Sequence, residues 1–261
     1  MQDKAVVILS GGMDSTAALY WALEHNSEVH AVSFNYGQRH KIELDSARNI
    51  CDDLQVLGFA EFKSHTIVDM TAINPLMAGS GSVLVEGDTE VPEGHYAEET
   101  MAQTVVPNRN MIMLSIAAAK AVSVGASMLV TGVHAGDHAV YPDCRPEFIQ
   151  YMQRTLRIAN EGFIRSDFMV TAPWLYISKA EIVGVGEELH VPWGLTWTCY
   201  KGGVFDGHEP GMPTIHCGRC STCVERLEAF NEAGVVDPVE YADREYWQTA
   251  VQAYAESQQD G

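Results

Sequence analysis

Residues 4–25 read KAVVILSGGMDSTAALYWALEH, and this stretch decides the fold. Lys4–Leu9 is a short apolar run rich in β-branched residues, the mark of a buried strand. It stops at Ser10-Gly11-Gly12, and Ser15–His25 continues as helix formers with an apolar face. Strand, glycine loop and helix in that order let backbone amides and hydroxyls meet an anion at the positive end of the helix. In an open α/β sheet such a loop lies at the carboxyl end of its strand, where ligands bind. Leu9, Ser10, Gly11, Gly12, Met13, Asp14 and Ser15 are therefore the candidate nucleotide-binding residues. The chain has no Gly-Lys-Ser/Thr, which excludes the ordinary Walker loop, and this junction lacks the dinucleotide glycine pattern. The alternative reading is a tight turn with a serine helix cap.

Working outward, Val29–Phe34 is strand-like, Lys41–Leu57 has helical periodicity and Ser64–Met70 is a third strand. Asn108–Val124 reads as a helix with Asn108 as its N-cap after Pro107. Ser127–Val133 and Phe168–Ala172 read as further strands, and Ser178–Glu181 is a capping box opening a helix to about His190. Strands alternating with helices predict an α/β fold with an open, mostly parallel sheet and helices on both faces, of Rossmann type. Met111–Val130 is apolar enough to suggest a membrane span, but Lys120 and Gly125 interrupt it, so a helix followed by a strand is expected. Two stretches break the rhythm. Met77–Val105 has no clear period, and Glu86, Asp88, Glu90, Glu93, Glu98 and Glu99 lie at its centre without a Lys or Arg. It reads as an active-site cover or as a solvated acidic loop. Cys199–Cys223 reads as a small appended metal module. Residues 1–198 are thus expected to form the nucleotide-binding domain, and residues 199–261 a metal-binding, helical extension packed on it.

The chain has 261 residues with 16 Lys and Arg against 35 Asp and Glu, a net charge of −19. Phosphate neutralisation needs a surplus of basic residues, so a general nucleic-acid or anionic-membrane binder is excluded. The N-terminus runs from Met-Gln-Asp-Lys directly into the first strand, with no basic region or cleavage site, so a cytoplasmic protein is expected.

Cys199, Cys217, Cys220 and Cys223 form C-x17-C-x2-C-x2-C. Short spacings let thiolates converge, and tetrahedral zinc is the commonest result; an iron–sulfur cluster is the rival. His208 and His216 are possible replacements for a thiolate, but four cysteines already fill a closed site. Cys51 lies on an apolar helix face and reads as core. Cys144, beside Arg145, reads as an inert packed thiol or a reactive thiolate.

Three polar clusters remain: FNYGQRHK (34–41), VPNRN (106–110) and YPDCRPEF (141–148). The first and third follow strands, and the second opens a helix. SGGMDS resembles the PP-loop of the ATP pyrophosphatases, which share the adenine-nucleotide α-hydrolase-like fold. Taken with FNYGQRH, PEGHYAEE, VPNRNM, YPDCRPEF, ISKAEIV, TWTCY and CGRCSTCVER in this order, it resembles the 7-cyano-7-deazaguanine synthase family from about Ala5 to Tyr241. The segment between Cys199 and Cys217 looks longer than is usual in that family.

The resemblance implies an ATP-dependent ligase that turns 7-carboxy-7-deazaguanine and ammonia into a nitrile, with ATP, Mg2+ and Zn2+ bound. It implies a homodimer with a small-molecule substrate and no stable nucleic-acid or membrane complex. Ser10, Asp14, Ser15, Arg109 and Lys179 are then the catalytic candidates, with Arg109 and Lys179 set against phosphate or acyl-phosphate charge. Arg145 is expected to grip the substrate carboxylate, a bidentate role that suits Arg. Tyr36, Gln38, Asp137 and Asp143 are expected to read the deazaguanine edge or hold magnesium. A tRNA-modifying enzyme or other amidating ligase, and a non-catalytic zinc-stabilised nucleotide sensor, are the competing readings.

Overall fold

In the computed structural model β1 (Lys4–Ile8) lies at the centre of a five-stranded sheet of order β3-β2-β1-β4-β5. Its partners are β2 (Glu28–Asn35), β3 (Phe62–Asp69), β4 (Met128–Val130) and β5 (Met169–Thr171), and every pairing is parallel. The structure describes residues 3–38, 42–77, 82, 84, 90–95, 101–202, 204–205 and 214–258. The chain winds outward from β1 through β2 to β3 and then crosses back to β4 and β5. The reversal leaves a crevice between the carboxyl ends of β1 and β4, where open sheets of this kind hold ligands.

The sheet is covered on both faces, and the pleat explains how. Along β1, Ala5 and Val7 point to one side and Val6 to the other. Ala5, Val7 and Leu9 pack with α1 (Met13–His25), α2 (Ile42–Val56), α5 (Lys179–Glu188) and Phe230 of α6 (Ser221–Glu232). Val6, Val32 and Phe34 pack with α3 (Arg109–Val124) and α4 (Pro146–Ala159). A helix α7 (Tyr246–Ser257) follows, and Val204–Phe205 pairs antiparallel with Thr214–Ile215 as β6 and β7. Among the described residues no helix is long and apolar enough to cross a membrane. The run from Met111 to Val130 is α3 and then β4. Gly125 ends the helix in the left-handed conformation at φ 68°, where a side chain would be strained.

Several local expectations change. β4 and β5 are three residues each, shorter than the runs Ser127–Val133 and Phe168–Ala172. Asn108 does not cap α3 with its side chain: its backbone is left-handed at φ 67°. The first turn of α3 is capped from elsewhere, by Asp143 Oδ2 accepting from Asn110 N at 3.1 Å. The Ser178 capping box is present in both directions, Glu181 N to Ser178 Oγ at 3.2 Å and Ser178 N to Glu181 Oε2 at 2.7 Å. Within the acidic stretch, Glu86, Asp88, Glu98 and Glu99 lie outside the described residues, as do Arg39, His40, Lys41 and His208. Glu93 is described and is anchored: it accepts from Lys201 Nζ at 2.6 Å and Arg219 Nε at 3.0 Å.

Candidate functional site

The loop after β1 is closed on itself. Ser10 Oγ and Ser15 Oγ are 2.9 Å apart, Ser10 N donates to Ser15 Oγ at 3.1 Å, and Gly12 N donates to Ser10 Oγ at 3.1 Å. Ser15 Oγ and Thr16 Oγ1 donate to Gly12 O at 3.1 and 2.8 Å. The two serines thus shape the loop, and Gly12 at the N-cap of α1 leaves the helix's positive end without a side-chain cap.

Three other parts of the chain press on this loop. A Cβ on Gly11, which sits at φ +97°, would lie 2.1 Å from Glu43 O of α2. A Cβ on Gly132, just beyond β4, would lie 2.8 Å from Ser15 N. Trp197 N donates to Gly11 O at 2.9 Å, tying the loop to the segment that leads into Cys199.

The loop opens into a cleft of about 220 Å3 at the crevice between β1 and β4. The cleft brings together Leu9, Ser10, Gly12, Asp14, Ser15, Tyr36, Gln38, Arg109, Asp137 and Lys179 from the sequence-derived set. Gly11 does not line the cleft but faces the backbone of α2, and Met13 is in the core. Asp143 is not on the cleft wall; it caps α3. Nor is Arg145, whose exposed guanidinium donates to the carbonyls of His138 and Ala139 at 2.8 and 3.5 Å. Gln38 does line the cleft, but its amide is engaged by its own loop, accepting from Tyr36 N at 3.0 Å and donating to Phe34 O at 3.1 Å. It therefore holds Tyr36 in place.

Lys179 is the first residue of α5, where a cation opposes the helix dipole. Two carboxylates hold it there: Glu225 Oε2 at 2.5 Å and Asp14 Oδ2 at 3.4 Å. Burial alone would lower the Lys179 ammonium's pKa, but Asp14, Glu225 and Asp137 outweigh burial and hold it above its ordinary range. Burial raises Glu225 in turn, partly offset by Lys179. Asp14 Oδ1 is buried with no hydrogen-bond partner among the described residues. Arg109 opens α3 and also lines the cleft, with Nη1 3.4 Å from Tyr36 Oη and its guanidinium 5.9 Å from that ring. Burial would lower Arg109, and the surrounding Tyr36, Tyr200, Tyr141 and Asp143 more than reverse that, so it stays cationic.

Sequence reasoning passed over Glu43, Gly132, His134, Tyr141, Tyr200, Thr222 and Glu225, all of which line the cleft. Tyr141, Tyr200 and Glu225 stand inside the quoted motifs YPDCRPEF, TWTCY and CGRCSTCVER, so the signal was present without a role attached. Cys144 also lines the cleft, but burial, with Asp137 and Asp143, pushes its thiol far up, and Asn110 Nδ2 donates to its sulfur at 3.3 Å. It is a packed thiol. Cys51 is 2% exposed, and burial raises it to about 12.

Cys199, Cys217, Cys220 and Cys223 are buried, with their sulfurs all within 4.8 Å of one another. Cys217 and Cys223 Sγ are 3.9 Å apart. Tetrahedral thiolates at a metal–sulfur distance of about 2.3 Å would stand about 3.8 Å apart, so one ion fits among them. Arg219 N and Cys220 N point at Cys217 Sγ from 3.4 and 3.3 Å, amide donors of the kind that support a bound thiolate. His216 is not a fifth candidate: its Nε2 accepts from Thr198 N at 3.1 Å, and burial, then Arg226, lower its pKa to about 3.

Arg226, three residues past the last cysteine, is wholly buried. All five of its donors are used. Nε and Nη2 reach Asp237 at 2.8 and 2.9 Å, Nη1 reaches Thr196 and Thr198 at 2.7 and 3.1 Å, and Nη2 reaches Trp193 O at 3.1 Å. This fork locks α6 to the segment that touches the loop after β1.

Comparison with known proteins gives a consistent picture. The profile of the family described as "Queuosine biosynthesis protein QueC" matches residues 4–234. A 7-cyano-7-deazaguanine synthase of Marinomonas sp. (strain MWYL1) is 46% identical over 241 residues, 92% of this chain and 99% of that protein. That of Pseudoalteromonas atlantica is 47% identical, covering 92% and 100%. That of Rhizobium etli is 44% identical over 252 residues, 97% and 98% of the two chains.

Proposed function

The chain belongs to the QueC family of queuosine biosynthesis proteins, and from that premise we propose that it is a carbon–nitrogen ligase making 7-cyano-7-deazaguanine. Its substrates are 7-carboxy-7-deazaguanine, ammonia and ATP. A carboxylate resists ammonia until one of its oxygens becomes a leaving group. Attack of that oxygen on the α-phosphorus of ATP releases pyrophosphate and gives an acyl adenylate. Ammonia then displaces AMP to form the amide. A second adenylation, on the amide oxygen, releases a second pyrophosphate; loss of AMP and of both amide protons then leaves the nitrile. Each product therefore consumes two ATP and yields two AMP and two pyrophosphates, with no protein nucleophile, in keeping with the packed state of Cys144.

The observation that carries this reading is the cleft itself. It joins the uncapped start of α1, Lys179 and Arg109 around one crevice at the carboxyl ends of β1 and β4. Backbone donors of α1 and the Lys179 ammonium, aimed at a departing pyrophosphate, lower the barrier by about 3 kcal/mol for each well-placed donor. Arg109, flanked by Tyr36, takes the carboxylate end of the planar substrate, the role first expected of Arg145.

Among the described lining residues the cleft holds four carboxylates, Asp14, Glu43, Asp137 and Glu225, against two cations. A triphosphate cannot enter that field without divalent metal. Asp14, with its unpartnered Oδ1, and Asp137 are the residues to hold Mg2+, which would neutralise phosphate charge. For the cysteine cluster the reading is Zn2+ over iron–sulfur, because the sulfurs converge on one centre while a cubane's ligands radiate from separate irons.

The test is release of pyrophosphate and AMP by the purified protein. Continued turnover should require both carboxy-deazaguanine and ammonium, with at most one pyrophosphate per site released without ammonium. ATP turnover indifferent to the deazapurine would overturn the reading.

A further inference from the structure

Glu225 touches Lys179 and lies two residues beyond the last cysteine of the cluster, on the first turns of α6. Thr222, beside Cys223, and Tyr200, beside Cys199, line the same cleft. One wall of the active site is thus carried by the cysteine module, and Glu225 is its contact with the phosphate-facing lysine. The lysine could adopt many rotamers on its four-carbon stem. Among the described contacts two carboxylates restrict it: Asp14 of the phosphate loop at 3.4 Å and Glu225 of α6 at 2.5 Å. Arg226 fixes the height of α6 through its five donors, so the Glu225 carboxylate has a defined place.

We propose that Glu225 is a positioning residue: it holds the Lys179 ammonium where pyrophosphate charge develops and acts on the reaction only through that lysine. This rests on the ATP-dependent reading above. It also fixes the sign of two separable effects. Glu225 is an anion in a cleft that must accept a polyanion, so its removal does not weaken ground-state ATP binding. A lysine that has lost its 2.5 Å contact to Glu225 is displaced from the transition-state charge, and the chemical step slows.

The experiment compares Glu225→Gln, Lys179→Ala and the double variant with the wild type by single-turnover AMP formation from MgATP, carboxy-deazaguanine and ammonium. Metal content and melting temperature are measured alongside. Glu225→Gln is expected to lower the rate at saturating ATP about tenfold or more, with KM for ATP flat or lower. In the Lys179→Ala background the same change should alter the residual rate by less than about twofold. An equal loss in both backgrounds, or a raised KM with the rate intact, overturns the proposal. If Glu225→Gln loses metal or fails to fold, Glu225→Asp takes its place. It keeps the charge but falls short of Nζ, and it should show a smaller rate loss that also vanishes in the Lys179→Ala background. If the wild type itself makes no substrate-dependent AMP, the functional reading fails, an outcome distinct from failure of the positioning role.

Discussion

Replacing Gly132 by alanine tests how tightly the phosphate loop is built. The added Cβ would lie 2.8 Å from Ser15 N, 2.9 Å from Asp14 C and 2.9 Å from Ser15 Cα, all of them backbone atoms that no rotamer change can move. Ordinary van der Waals contact begins near 3.4 Å, so the start of α1 and the turn after β4 must separate by about half an ångström. Overpacking of this kind costs about 1–3 kcal/mol of stability. The catalytic cost is larger in proportion, because Asp14 and the uncapped amides of α1 move with the backbone. If a misplacement of 1 Å costs about a hundredfold, half of that costs about tenfold in kcat/KM. Pyrophosphate release against ATP concentration measures the second quantity and thermal unfolding the first. Gly184→Ala is the control: nothing lies within 4 Å of its Cβ position in α5, and alanine favours a helix. Gly132→Ala with unchanged kcat/KM would refute the close approach of β4 to the loop.

Asp237→Ala should destabilise the protein by about 3–5 kcal/mol, because it strands the buried Arg226 guanidinium; chemical denaturation measures this. Burial opposes ionisation of Asp237, but the bonds from Arg226 and Tyr241 win and hold its pKa below the ordinary carboxylate value. Its contribution is therefore complete above the unfolded-state value of about 3.9 and is lost as pH falls through the lower folded value. Melting temperature followed from pH 7 to about pH 2 should show that acid limb in the wild type and a shallower one in Asp237→Asn. Chelation should release one zinc ion from a colourless protein and lower its melting temperature, and absorption near 400 nm would instead mark an iron–sulfur centre. Arg145→Ala, whose guanidinium sits on two loop carbonyls away from the cleft, should change kcat/KM by roughly threefold or less. A hundredfold loss would return it to the substrate.

The parallel sheet and the loop after β1 were legible because local patterns specify them. An unbroken β-branched run can only be a buried strand here, and glycines before a helix leave few other geometries. The cysteine cluster was legible from spacing alone. The cleft's other wall was not. Glu225 and Tyr200 reach it through the fold of the module, and no periodicity in CGRCSTCVER says which residue turns inward. Arg145 and Asp143 stand off the cleft wall for the opposite reason. Both stand in a polar motif at the end of a strand, but a short turn over Pro142–Cys144 directs one to carbonyls of the preceding turn and the other to the amides of α3. Asn108 shows the same limit: its position after Pro107 suits a cap, yet its backbone is left-handed and the cap comes from another segment. Helix α4 was legible but unread: Ile149, Met152 and Leu156 stand at i, i+3 and i+7, the spacing of one buried helix face.

In the proposed reaction both oxygens of the substrate carboxylate leave on AMP. Carboxy-deazaguanine labelled with 18O in both carboxylate positions, supplied with ATP, magnesium and ammonium, tests it by mass spectrometry of the nucleotides. Two AMP per nitrile, each carrying one 18O in its phosphate, is the predicted result. Label recovered in water or in inorganic phosphate, or a single AMP per nitrile, would contradict it.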